Sequence, residues 1–184
     1  MTLRICGVDP SLNHTGYGVI RVTEPGRNAS VIEAGVIRTS ADGTLADRLV
    51  ELADAMEDVL AEHRPDLIGV EELYSHYRHP RTAILMGHAR GVLMLAAARA
   101  GVNVVSFPPT RVKYALTGNG RAGKVQMQRA IMVTLGLPRP PEPSDVADAL
   151  AVAWCAGAEA MNALRSGRRR GTHRTRLEIK GSRS

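Results

Sequence analysis

LRICGVDPSLNHTGYGVIRVT, residues 3–23, and ASVIEAGVIRT, residues 29–39, are the stretches that decide the fold class. LRICGVD and TGYGVIRVT are rich in β-branched residues, and PSLNH between them carries the proline and asparagine of a turn. The second stretch adds another strand, so the chain is expected to open as an antiparallel meander. Working outward, residues 44–63 place Leu45, Leu49, Leu52, Met56 and Val59 at three- and four-residue intervals, the mark of an amphipathic helix that packs on the sheet. DLIGVEEL (66–73) reads as a strand, residues 80–100 as a helix and VNVVSF (102–107) as another strand. A PPT loop (108–110) leads to RVKYALTG, a glycine-rich GNGRAG turn, a helix from Lys124, a proline-rich connection and a last helix from about Ser144. Three strands, a crossover helix, two more strands and further helices make a mixed-sheet α/β domain.

A length of 184 residues with 44% hydrophobic content suits one globular domain with a real core. The longest apolar stretch, residues 83–101, is broken by His88, Arg90 and Arg99 and cannot supply the roughly 20 apolar residues of a membrane span. MTLRICGVDP at the start lacks the layout of a signal peptide, and Cys6 and Cys155 make neither a disulfide framework nor a zinc spacing. A cytoplasmic protein with buried thiols is expected. The net charge of +6 is unevenly spread: residues 165–184 hold eight Lys or Arg against one acid, leaving the remainder at −1. The expected organisation is a domain over 1–164 and a basic, disordered tail over 165–184, which either solubilises the chain or binds polyphosphate non-specifically.

In open α/β sheets, functional groups collect at the carboxyl ends of strands. Asp9 ends the first strand, where Pro10 stops further ladder pairing, and Glu71 ends the fourth. Asp145 and Asp148 interrupt a helix otherwise coated with Ala and Val and, three residues apart, share one face. Each acid has an ordinary explanation taken singly: an Asp-Pro turn, a solvated strand end, or Ser144 and two aspartates completing a helix start. Together, three segments each bring an acid beside apolar structure, and converging carboxylates repel unless cations or protons intervene. Such hard oxygen ligands suit Mg²⁺ or Mn²⁺, and two ions about 4 Å apart are the usual device for in-line phosphodiester hydrolysis.

GVDPSLNHTGYGVIRV, IGVEELY, GHARGVL, RVKYALTGNGRAGKVQMQ and SDVADALAVA, in that order, resemble the RuvC family of Holliday-junction resolvases over nearly all of residues 1–164. The resemblance implies an RNase H-like fold with a mixed five-stranded sheet flanked by helices. It also implies a homodimeric, Mg²⁺-dependent endonuclease that cuts a four-way DNA junction symmetrically during recombination and repair, with Mn²⁺ as a substitute and two ions per site. Its catalytic and metal-binding acids fall on Asp9, Glu71, Asp145 and Asp148, and Glu72 is a neighbour. Lys113 and Lys124 match basic positions near the DNA and the scissile phosphate, and Tyr74 matches an aromatic that contacts bases at the opened junction. Ser11 stands where the family often has glycine. The family works with a branch-migration motor of the RuvA-RuvB type, and no membrane is implied.

The residues themselves also point to DNA. Arg78, Arg81 and Arg90 form one basic cluster and Arg111, Lys113, Arg121, Lys124 and Arg129 another, lanes that a phosphate backbone needs around a negative centre. Aromatics are 3% of the chain, so Tyr74 and Tyr77 stand out as stacking candidates. His76, His79 and His88 lack metal-ligand spacing and read as loop or interface residues. GNGRAG lacks both the GKS/T ending and the preceding strand of a phosphate loop. Gly87 and Gly91 make a small-residue stripe, for which packing within the molecule is the usual reading; only the resemblance supports a dimer. The alternatives are a junction-binding protein without catalysis and another RNase H-like nuclease acting on RNA. An actin-like ATP-binding fold also opens with a strand and an aspartate but needs a longer chain.

Overall fold

The computed structural model describes residues 1–24, 28–73 and 80–169. In chain order the elements are β1 (Leu3–Asp9), β2 (His14–Glu24), β3 (Asn28–Arg38), α1 (Leu45–His63), β4 (Leu67–Glu71), α2 (Pro80–Arg99), β5 (Asn103–Phe107), α3 (Pro109–Thr117), α4 (Lys124–Leu135) and α5 (Ser144–Arg169). They build one five-stranded sheet in the order β3-β2-β1-β4-β5. β2 runs antiparallel to both β1 and β3, whereas β1, β4 and β5 are parallel, so the sheet is mixed, with its meander at one edge.

Strand alternation sorts the core into two layers. Leu3 and Ile5 of β1, with Ile20 and Val22 of β2, face α3, α4 and α5. Cys6 and Val8 of β1, Val19 of β2, and Ile68 and Val70 of β4 face α1 and α2. α1 starts with a reciprocal cap in which Thr44 accepts from the Asp47 backbone and Asp47 accepts from the Thr44 backbone, and Leu52, Met56 and Leu60 are its buried stripe. The turn after Asp9 is closed by the buried Thr15 hydroxyl, which bonds both the N–H and the carbonyl of Ser11. Ser11 therefore serves this turn through its backbone.

Two points depart from the sequence reading. PPT is not simply a loop: a helix begins at Pro109, an N-terminal position where a missing N–H costs nothing, and RVKYALT completes α3. α5 remains helical to Arg169, so the first residues of the basic stretch continue it, while 170–184 lie outside the described residues. α5 is also buried far more widely than a surface helix, with Val146, Ala147, Ala149, Leu150, Ala151, Val152, Ala153, Cys155 and Ala156 all inside. Sheet on one side and α3 and α4 on the other explain why its residues are small and apolar.

Glycines set how close α5 comes. A Cβ on Gly7 of β1 would collide with the backbone of Ala149 and Ala153, and one on Gly16 of β2 with the backbone of Asp145. Larger residues there would hold the helix away from the sheet.

Candidate active site

Asp9 and Glu71 are placed by register. Val8 of β1 pairs with Val70 of β4, so the acid one residue beyond each stands side by side at the carboxyl ends of two parallel strands. Both lie one residue past a side chain in the α1/α2 layer, so alternation turns them to the opposite face, towards α5. On that face, Gly16 pairs with Asp9 across β1 and β2 and carries the Asp145 backbone directly upon it. The three-residue spacing then presents Asp145 and Asp148 from the first turns of α5.

Asp9, Glu71 and Asp148 are electrostatically coupled, and Asp145 acts on two of them. Asp9 is pushed up to about 8 by burial first and then by the charges of Glu71, Asp148 and Asp145, with Lys124 opposing. Glu71 is raised to about 7 by burial and by Asp148, with Lys113 opposing. Asp148 is raised by burial, held back by Lys124 and Lys113, and raised again by Asp145. Asp9, Glu71 and Asp148 thus each feel at least one other carboxylate, and the two lysines divide the work: Lys124 favours the charged form at Asp9 and Asp148, Lys113 at Glu71 and Asp148. Without a cation this arrangement is frustrated, and protonation relieves it.

The acids nonetheless keep some distance. Among the described residues, three ligand atoms mutually within 4.8 Å occur at Glu33, Glu62 and His63 and not among the four acids. The donor set fits hard divalent cations: carboxylate oxygens alone, half-buried, with a charge excess that a cation removes. Two grooves, about 520 Å³ beside residues 137–142 and about 1120 Å³ between the ends of α1 and α2, are lined by other residues than these four acids.

The other sequence candidates separate. Lys124 opens α4 and its Nζ donates to the Ser144 hydroxyl at 3.5 Å, tying the start of α4 to the start of α5. Arg121 is exposed in the α3–α4 turn, and Arg81 is exposed near the start of α2. Arg111 is paired with Glu159 of α5 and lies over Phe107, 5.6 Å from the ring centre, so part of its charge is committed within the molecule. Arg90 was grouped with the DNA-facing bases by sequence, yet its Nη2 donates to Ser106 of β5 at 2.7 Å and its Nε is buried with no hydrogen-bond partner. Tyr74, Tyr77, Arg78, His76 and His79 lie outside the described residues. GNGRAG is a helix-to-helix turn between Gly118, the left-handed C-cap of α3, and Gly123, which precedes α4; it follows no strand. The coupling of Lys124 to Ser144 was missed by sequence, because nothing in 20 residues of separation signals it.

An RNase H-like sheet with acids at two adjacent parallel strand ends and a helix carrying two more defines a carboxylate-centred nuclease. The family model of crossover junction endodeoxyribonuclease RuvC matches residues 5–156, and the chain belongs to the RuvC family. A Rhodopirellula baltica crossover junction endodeoxyribonuclease RuvC is 53% identical over 151 residues, covering 82% of this chain and 84% of that protein. Thermus thermophilus RuvC in complex with a Holliday junction substrate superposes with a TM-score of 0.81 at 33% identity, over 88% of this chain and 96% of that one. The yeast mitochondrial Holliday junction resolvase, at 12% identity and a TM-score of 0.59 over 89% of this chain and 85% of that one, shares the fold. No helix among the described residues is long and apolar enough to cross a membrane.

Proposed function

We propose that the chain resolves four-way DNA junctions by metal-assisted hydrolysis at Asp9, Glu71, Asp145 and Asp148. The observation that carries this reading is the mutual charge coupling of acids from β1, β4 and α5. Bound between these carboxylates, divalent cations would supply the Lewis acidity that activates a water and neutralises the leaving 3′ oxygen. Two ions per site, as the family resemblance implies, would serve the attacking and leaving oxygens, and Mg²⁺, with Mn²⁺ as substitute, suits carboxylate ligands. Lys113 and Lys124 partly offset the repulsion among the carboxylates and attract the phosphate, while Arg81 and Arg121 extend the basic track. Arg111 contributes at its rim, and Tyr74 and Arg78 are assigned to the DNA contact by resemblance.

The working unit is a homodimer joined through α2. A Cβ added at Gly87 or Gly91 would meet no other part of the described residues within 4 Å, and both glycines are exposed, which overturns the expectation that their stripe packs within the molecule. Ile84 is 60% and Leu95 51% exposed, so residues 84, 87, 91 and 95 form an open apolar seam at helical spacing. The opposite side, Ala89, Leu93, Ala96 and Ala97, is already buried within the domain. A second copy is the natural cover, since its two-fold axis presents two sites to two symmetry-related strands. The protein would act in the cytoplasm with a branch-migration motor of the RuvA-RuvB type.

The deciding experiment compares a mobile four-way junction, a linear duplex and an RNA/DNA hybrid, each with and without Mg²⁺. Symmetric cutting of the junction, dependent on Mg²⁺ and lost in Asp9→Asn with junction binding retained, is the expected result. Preference for the hybrid, or cutting by Asp9→Asn, refutes the assignment.

A further inference from the structure

We propose that Glu33, Glu62 and His63 form a second divalent-metal site, suited to Zn²⁺, that clamps the end of α1 to the edge strand β3. The three ligand atoms lie within 4.8 Å of one another. None of these residues belongs to the acidic centre: His63 closes α1 four residues before β4 begins, whereas Asp9 and Glu71 lie at the opposite, carboxyl ends of the strands.

Four features favour a cation there. His63 is only 8% exposed, yet its Nε2 points out of the core to Glu33 Oε2 at 2.9 Å. Two ligands on one tetrahedral zinc with bonds of about 2.0–2.1 Å are roughly 3.3 Å apart, so an ion can enter between these atoms with a slight spreading. The other Glu33 oxygen, Oε1, accepts from the Tyr17 hydroxyl at 2.6 Å, the kind of outer hydrogen bond that orients a ligating carboxylate. Tyr17 itself reaches Glu33 across the face of Gly35, where a Cβ would crowd the phenol oxygen at 2.9 Å.

The last feature is the helix end. α1 is 19 residues long, and His63 and Glu62 sit in its final turn, where the partial negative charge of the helix dipole attracts cations. Arg4 Nη1 donates to the His63 carbonyl at 3.0 Å, which fixes the backbone that carries the imidazole. Glu62 is exposed and free to swing in as the third ligand, leaving water for the fourth position. An ion here would cross-link α1 to β3, one of the two edge strands of the sheet.

The site is tested with Co²⁺, a spectroscopically visible stand-in for Zn²⁺, on the full chain carrying Asp9→Asn and Asp148→Asn so that the acidic centre is weakened. The expected result is one Co²⁺ per chain with the intense visible absorption of low coordination, displaced by one equivalent of Zn²⁺. Adding His63→Gln or Glu62→Gln should weaken binding tenfold or more, and Tyr17→Phe about tenfold through loss of the orienting bond. Glu62→Gln alters only an exposed side chain, so unchanged circular dichroism separates lost ligation from lost folding. Absence of the absorption, or equal affinity in His63→Gln and Glu62→Gln, overturns the proposal. Zn²⁺ should also raise the Tm of the Asp9→Asn, Asp148→Asn chain more than that of the same chain carrying Glu62→Gln.

Discussion

At the scale of single residues, the acidic centre trades stability for charge. Asp9 at about 8 and Glu71 at about 7 stand above their unfolded values of 3.8 and 4.5, so the metal-free folded chain binds more protons than the unfolded one across that window. A raised carboxyl contributes its stability below the unfolded value and loses it as pH climbs through the folded one. Melting in EDTA should therefore fall from pH 5 to pH 8.5, and Asp9→Asn should remove much of the slope. Since 1 kcal/mol moves the Tm of a chain this size by about 2–4 °C, a difference of several degrees at pH 8 is expected. Millimolar Mg²⁺ should flatten the parent's profile, because it replaces the protons. An Asp9→Asn profile parallel to the parent's would show that the acids do not interact as described.

At the scale of elements, the decisive contact is α5 on the sheet. The aspartates of α5 reach Asp9 and Glu71 because Gly7 and Gly16 let helix backbone rest on strand backbone. Gly7→Ala would force the two apart, since the obstacle is the main chain of Ala149 and Ala153 and cannot rotate away. A loss of about 3 kcal/mol is expected by chemical denaturation, the upper end of ordinary overpacking. Junction cutting at a temperature where Gly7→Ala remains folded should fall further than junction binding. The glycines are plain in the sequence, but which atoms oppose them depends on a helix far along the chain, with Asp145 over Gly16 and Ala149 and Ala153 over Gly7.

At the scale of the whole molecule, the open seam on α2 predicts the assembly. Gly91→Glu and Leu95→Glu place charge on exposed positions that touch nothing in the domain or are half-exposed, so each should leave the monomer folded. Light scattering should report half the parent's mass, and paired incisions should become single nicks. A dimer that survives both substitutions would move the interface elsewhere.

Much of this molecule could be read from local pattern. The meander, the amphipathic repeat of α1 and the apolar strands β4 and β5 follow from periods of two and 3.6 residues, and those signals are carried by neighbours in the chain. Asp9, Glu71, Asp145 and Asp148 stood out because each breaks an apolar segment at its end. Tertiary structure alone decided three other matters: that Arg90 bonds Ser106, that Gly87 and Gly91 open outward, and that Glu33 meets His63. Each depends on residues far apart in the chain, brought together or kept apart by the order in which strands pair. A local pattern fixes which face of an element is apolar, but only packing determines what lies opposite that face.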